Sequence, residues 1–353
     1  LKDKIIESKS DSKMISFEPL GVIFGIMPWN FPFWQVFRYS IPALISGNTC
    51  LLKHAPNVQG CAKSIEKIFK FRHELCLFKN IAIEVNSVPR IISNNRIQAI
   101  SLTGSEQAGS SVASQAGASI KKTVLELGGS DAFVVLKDAD LDVCAEAAIK
   151  SRFLNNGQSC IAAKRFIVDH NIYDDFISKI KHKIENLIVG NPMNKKTQIG
   201  PLSKQDFVDK LTKQINNAIN LGAKLILGGY KLNQEGSFLA PTLLVDVSPN
   251  MRVFKEETFG PLFCISKSEN EDNAIKLAND SHFGLGCSIW SKDKENALCL
   301  SKRINAGSIF INDFTKSSPE MPFGGVKKSG YGRELSEFGI KEFVNVKSIV
   351  ISN

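Results

Sequence analysis

Short apolar runs alternate with helical stretches along most of this 353-residue chain, and that alternation constrains the fold more than any single motif. Gly21-Val22-Ile23-Phe24-Gly25-Ile26-Met27 is apolar throughout, which reads as a buried strand ending at Pro28. Asn48-Thr49-Cys50-Leu51-Leu52-Lys53 reads as a second strand and Gln98-Ala99-Ile100-Ser101-Leu102-Thr103 as a third. Helical patterns over residues 36–45 and 58–71 lie between them. The alternation predicts an α/β fold.

The pattern restarts after Val124-Leu125-Glu126-Leu127-Gly128-Gly129. Residues 132–136 form a predicted strand, and residues 140–154 a helix that Asp138 or Asp140 would cap. A strand at 165–168 and a helix from about 173 to 188 follow. The chain is long enough for two domains, and the boundary is expected near residues 126–129. The first strand begins without the earlier helices of a complete doubly wound domain, and position 1 is Leu. The expectation is an N-terminally incomplete domain.

Composition excludes several classes. No apolar run approaches the ~20 residues of a membrane span, and the N-terminus lacks a secretory layout. A cytoplasmic protein without a membrane partner is expected. The formal charge of +9 comes from scattered lysines, with doublets such as Lys121-Lys122 but no basic block, so nucleic acid is not an expected partner. Eight cysteines are widely spaced, without a Cys-x-x-Cys pair or a histidine cluster, so neither a metal site nor a disulfide framework is expected. Most of these thiols should be buried as small apolar groups.

Four segments have chemical potential. Cys160, in Gly157-Gln158-Ser159-Cys160, sits at a loop-to-element junction where backbone N–H dipoles can lower a thiol pKa; a buried structural cysteine is the alternative. Glu126 lies at an apolar strand end before two glycines, where burial would raise its pKa toward a useful base; a pair with Lys122 is the alternative. Pro28-Trp29-Asn30-Phe31-Pro32 holds an amide in a rigid loop, as suits an oxyanion donor or simply a turn. Thr103-Gly104-Ser105 follows a strand and opens a helix, a place for a phosphate, although it is not the GxGxxG fingerprint. Glu256-Glu257-Thr258-Phe259-Gly260-Pro261 and Pro322-Phe323-Gly324-Gly325 look locally like turns.

Taken together, PWNFP, Lys53-His54-Ala55-Pro56, TGS, ELGG, GQSC, EETFGP and PFGGVKKSG stand in the order and approximate spacing of the aldehyde dehydrogenase superfamily. The resemblance runs from about Phe17 to the C-terminus, and is greatest to bacterial succinate-semialdehyde dehydrogenases that accept NADP or NAD. It implies a Rossmann-like NAD(P)-binding domain over residues 17–128 and an α/β catalytic domain over 129–328. Residues 1–16 would form part of an oligomerisation hairpin, and 329–353 a C-terminal return and tail, giving a homo-oligomer (dimer or tetramer).

The resemblance also implies roles. Cys160 would attack the aldehyde, Asn30 with the Cys160 N–H would hold the oxyanion, and Glu126 would activate the hydrolytic water. Gly104 and Ser105 would meet the pyrophosphate of NADP or NAD. Lys53, with His54, Ala55 and Pro56, would meet the adenosine ribose, and Glu257 with Phe259 the nicotinamide end; Trp29 and Leu127 would line the site. Pro56 stands where strictly NAD-dependent relatives carry a glutamate that repels a 2′-phosphate, so NADP should be accepted. Arg38 and Ser336 fall where succinate-semialdehyde dehydrogenases bind the distal carboxylate of their small-molecule substrate. A second arginine of some relatives is Leu154 here, and residues 71–76 replace a Gly- and Pro-containing turn.

Two other readings compete. A thiol esterase would use Cys160 and Glu126 without redox, but would have no need of the TGS and EETFGP segments. A non-catalytic truncated relative, surviving as an interaction module or a decaying fragment, would keep the motifs without turnover.

Overall fold

The computed structural model describes residues 1–7, 12–70 and 76–352. Residues 8–11 of the expected hairpin and 71–75 of the altered turn lie outside the described residues. The chain divides into two compact units: one of residues 1–127, 317–324 and 330–353, the other of residues 128–316 and 325–329.

The first unit carries β1 (Lys4–Ile6), β2 (Ser12–Pro19), β3 (Val22–Met27), β4 (Thr49–His54), β5 (Phe78–Asn80), β6 (Ile97–Thr103) and β7 (Lys122–Glu126). The second carries β8 (Asp131–Val135), β9 (Ala163–Asp169), β10 (Lys224–Leu227), β11 (Thr242–Val245), β12 (Leu262–Ser268), β13 (Gly286–Trp290) and β14 (Ser308–Ile311). The chain then returns to the first unit with β15 (Gly330–Tyr331) and β16 (Val344–Ile351).

In the first unit a six-stranded sheet runs β15-β7-β6-β3-β4-β5, parallel except for β15. Helices α1 (Trp34–Ile45), α2 (Gln59–Lys70), α3 (Val88–Ile92) and α4 (Glu106–Ala118) connect its strands. Covering helices explain why β3 shows no polar alternation: one set of strand residues packs with Val36, Tyr39 and Ile65, the other with Val88, Ile92 and Val112. Registry aligns Met27 with His54 and Thr103 with Glu126, so PWNFP, TGS and ELGG all start where parallel strands end, and KHAP closes a fourth. The carboxyl edge of a parallel sheet is where such folds bind ligands.

The second unit is a seven-stranded sheet, β10-β11-β12-β9-β8-β13-β14, with only β10 antiparallel. Helix α5 (Leu141–Phe153) is capped by Asp140, whose carboxylate accepts the N–H groups of Asp142 and Val143, and α6 (Tyr173–Glu185) packs beside it. Phe133, Phe166, Phe263 and Trp290 stack through the sheet core. Here the motif-bearing segments ELGG, GQSC and EETFGP enter β8, β9 and β12 at their amino ends, the opposite polarity to the first unit. Three adjacent strands thus begin from three candidate loops.

A separate three-stranded sheet, β1-β2-β16, belongs to the first unit. Its eight-residue β16 pairs along its whole length with β2.

Candidate active site

In the first unit, Glu126 ends β7 with only 2 % of its surface exposed, and neither carboxylate oxygen has a hydrogen-bond partner among the described residues. Burial raises its pKa well above the ordinary carboxylate range; Arg38, with Nη2 4.0 Å away, opposes this, while Glu334 adds to it. Lys122, the bland alternative partner, pairs with Glu342 instead at 2.8 Å. Gly324 of PFGG leaves the space beside Glu126, since a Cβ there would stand 2.9 Å from Oε1.

Arg38, on α1, is itself buried and donates from Nε to Glu334, with its guanidinium 4.4 Å from the Phe323 ring centroid. Ser101 adds a hydroxyl to Glu334 at 3.4 Å. Two buried carboxylates therefore share one guanidinium. Glu334 is the closer, so Glu126 is the one left with least compensation and the stronger tendency to hold a proton. The arginine expected for a substrate carboxylate is already engaged by an internal one. Ser336 donates its N–H to Pro319 O at 2.9 Å, and its hydroxyl accepts the Phe338 N–H at 3.3 Å.

Asn30 lies in the loop after β3, with Trp29 beside it. Gln35 donates to the Asn30 carbonyl oxygen at 3.1 Å, which sets the sense of the amide and leaves the NH2 as its donor end. His54 ties that loop down. Its Nε2 lies 2.9 Å from Pro32 O, and its Nδ1 lies 3.0 Å from the Ala55 nitrogen and 3.1 Å from Met27 O. Burial lowers the His54 pKa.

The same carboxyl edge carries the segments expected to meet a dinucleotide. Lys53 is buried with its pKa lowered, partly offset by Glu84. Pro56 opens a short turn, Pro56–Val58, directly after Ala55. Thr103 keeps a buried hydroxyl without a hydrogen-bond partner among the described residues, beside the Gly104-Ser105 turn. Ser105 caps α4 by accepting the Ala108 N–H at 3.2 Å, with Glu106 in the first turn. Leu127 packs where a Cβ on Gly109 would stand 2.5 Å from it, so that glycine is needed for the helix to approach.

In the second unit, the chain leaves α5 through Asn155, Asn156 and Gly157, all with positive φ. Asparagine and glycine tolerate that region. Gly157 is also required sterically, because a Cβ would stand 2.3 Å from the Gly260 carbonyl oxygen of EETFGP. Gln158 bonds back to Asn155 O and accepts the Ser203 N–H at 3.0 Å. Cys160 follows, half-buried, whereas Cys50, Cys144, Cys264 and Cys287 are fully buried and burial pushes their thiols up, the last two to about 12.

Both glycines of ELGG also have a steric reason: a Cβ on Gly128 would stand 2.9 Å from Glu257 Oε2, and one on Gly129 2.4 Å from Cys160 O. The Gly129 N–H donates to Glu257 Oε1 at 3.1 Å. Phe259 sits half-buried, 6.0 Å from the Phe207 ring. ELGG, GQSC and EETFGP, remote in sequence, thus interlock within this unit. The profile of the Aldehyde dehydrogenase family matches residues 1–349. The chain belongs to the aldehyde dehydrogenase family.

Among its relatives, the chain is 47% identical over 353 residues, all of this chain and 78% of the other, to a protein of Synechocystis sp. named "Probable succinate-semialdehyde dehydrogenase (NADP+)". It is 42% identical over 342 residues, 97% of this chain and 74% of the other, to the succinate semialdehyde dehydrogenase (NAD(P)+) of Escherichia coli. The solved succinic semialdehyde dehydrogenase of Streptococcus pyogenes, in complex with NADP+, superposes with a TM-score of 0.97 at 39% identity, over 100% of this chain and 78% of that one.

Three residues of this aldehyde dehydrogenase chain escape sequence reasoning. Glu334 is one. Arg152, buried at the end of α5, donates to Ala163 O, Thr258 O and Gly260 O, clasping EETFGP to the start of β9. Lys164 is the third. A signal existed for the last: a Lys-Arg pair early in an apolar strand is costly unless both are buried with partners.

Proposed function

We propose that this chain oxidises succinate semialdehyde to the dicarboxylic acid with NADP+ or NAD+, through a thioester on Cys160. The observation that carries it is Glu126, a buried carboxylate whose oxygens accept no hydrogen bond among the described residues. An acid kept at that cost is explained by a proton it must take. Family membership and the names of the relatives support the substrate and cofactor.

The Cys160 thiolate adds to the aldehyde carbon, and the carbonyl oxygen becomes an oxyanion held by the Asn30 amide and the Cys160 N–H. The dinucleotide, when bound, supplies the two-electron oxidant that converts this adduct to the thioester. Glu126 then takes a proton from water, which attacks the thioester carbon and releases Cys160. For the dinucleotide, Thr103, Gly104, Ser105 and the α4 N-terminus would hold phosphate, Lys53 through Pro56 the adenosine ribose, and Glu257 with Phe259 the nicotinamide end. Pro56 places no carboxylate against a 2′-phosphate. Ser336 is proposed for the distal carboxylate of the substrate, which Arg38 would join only by giving up Glu334.

Assembly and location belong to the same proposal. A homo-oligomer is supported by β16, which exposes Val346, Val350 and Ile351 on a sheet with free outer edges among the described residues. Cytoplasmic residence accords with four buried thiols and no disulfide among the described residues. No helix among them is long and apolar enough to cross a membrane.

The test is Glu126→Gln mixed with aldehyde and NADP+, followed by intact-mass analysis. Accumulation of an acylated chain after one turnover supports the assignment. Steady turnover at the wild-type rate overturns it.

A further inference from the structure

Lys164, the second residue of β9, has no exposed surface. Its ammonium donates to three carbonyls of a single loop: Ser159 O at 2.9 Å, Cys160 O at 2.7 Å and Ala162 O at 3.2 Å. These use all three donors of the group. The Glu257 carboxylate lies close by, with Oε1 3.6 Å away. Burying an ammonium is costly unless its donors are fully compensated, as they are here by the loop carbonyls.

The geometry of the peptide gives the charge a use. The Ser159 carbonyl and the Cys160 N–H belong to one planar trans peptide, so they point in opposite directions. Anchoring the carbonyl on Lys164 aims the N–H away from it. A cationic donor on the oxygen also polarises that peptide and makes its N–H a stronger donor. The next peptide is fixed from both sides, since Cys160 O meets Lys164 Nζ and packs against Gly129, where any Cβ would clash.

We infer that Lys164 is a positioning residue that aims and strengthens the Cys160 N–H as an oxyanion donor, an inference that rests on the thioester chemistry proposed above. It touches neither substrate nor cofactor; it acts through the Ser159–Cys160 peptide. Its pair with Glu257 further ties the loop to a residue proposed for the cofactor.

The experiment compares Lys164→Met with wild type in three reactions: NADP+ reduction with succinate semialdehyde, hydrolysis of p-nitrophenyl acetate, and alkylation of Cys160 by iodoacetamide read by mass spectrometry. The first two pass through an oxyanion. Alkylation displaces iodide and builds none. Aldehyde oxidation and ester hydrolysis should each fall by about tenfold to a hundredfold, a part of what losing an oxyanion donor entirely costs. Alkylation, read at a pH high enough to ionise the thiol in both proteins, should change by less than about threefold.

A parallel fall in all three reactions, or no fall in any, overturns the inference. Should the methionine variant fail to fold, Lys164→Gln, which keeps donors without charge, goes through the same comparison. Selective loss of the two oxyanion reactions supports the inference, and full retention of them overturns it. An active wild type with an equally active variant overturns this inference alone. A folded wild type with no turnover of either substrate overturns it together with the functional proposal.

Discussion

Arg38 lies 4.0 Å from Glu126 yet spends its hydrogen bond on Glu334, so the carboxylate proposed as the base stays buried and under-compensated. Burial is the first cause of its raised pKa, so Glu126 is protonated through the ordinary carboxylate range and ionises above it. Thioester hydrolysis needs the ionised form, and its rate should therefore rise as pH increases through that raised pKa. Native-state stability has the opposite sign: the folded state binds the extra proton, so this group lowers stability as pH rises from the unfolded pKa to the folded one. Single-turnover deacylation against pH checks the first, and chemical denaturation at several pH values the second.

Removing the competitor should move that limb. Glu334 is a like charge that raises the Glu126 pKa, and it holds the guanidinium that would lower it. Glu334→Gln should shift the rising limb of the deacylation profile to lower pH. An unmoved limb would mean that the titrating group is not Glu126.

The loop that carries the proposed nucleophile depends on a glycine for two separate reasons. Gly157 has φ near +74° and lies against the Gly260 carbonyl, which cannot move aside as a flexible side chain would. Gly157→Ala should destabilise the chain by at least about 1–3 kcal/mol, from strain of this kind. Thermal unfolding measures it, and an unchanged midpoint would contradict the packing described for GQSC and EETFGP.

Cofactor choice should respond to one residue. Pro56→Glu restores an acid at the start of the turn after β4, and a like-charge contact of about 1–2 kcal/mol should raise the NADP+ KM by roughly tenfold or more while sparing NAD+. Initial rates with both cofactors decide it.

The substrate-carboxylate proposal separates from the chemistry by changing the aldehyde. Ser336→Ala should raise the KM for succinate semialdehyde by about tenfold, the worth of a hydrogen bond to a charged group, and leave the KM for butanal unchanged. Equal changes for both aldehydes would remove Ser336 from carboxylate recognition.

Much of the framework was legible because buried strands carry no polar alternation. β3, β4 and β6 lie within a residue of their expected limits, and of the two expected caps, Asp138 and Asp140, it is Asp140 that caps α5. Helix α6 stops at Glu185, three residues before the expected end, with Asn186 as its C-cap. The interlock of the motifs was not legible. Arg152 reads as an ordinary helix charge, and its carbonyl partners Thr258 and Gly260 lie more than a hundred residues away. Glu334 pairs with Arg38 across 296 positions, so no local pattern marks either as half of a buried pair. The two glycines of ELGG had no reason legible in sequence; it is steric, set by Glu257 and the Cys160 carbonyl.

The central claim is that Cys160 is the nucleophile of an NAD(P)-dependent aldehyde oxidation. NADPH formation with succinate semialdehyde, measured for the wild-type chain and for Cys160→Ala, tests it most directly. The expected result is steady turnover by the wild type and none by a folded, cofactor-binding Cys160→Ala. Turnover that survives in the variant, or a folded wild type that binds NADP+ and oxidises no aldehyde, would contradict it.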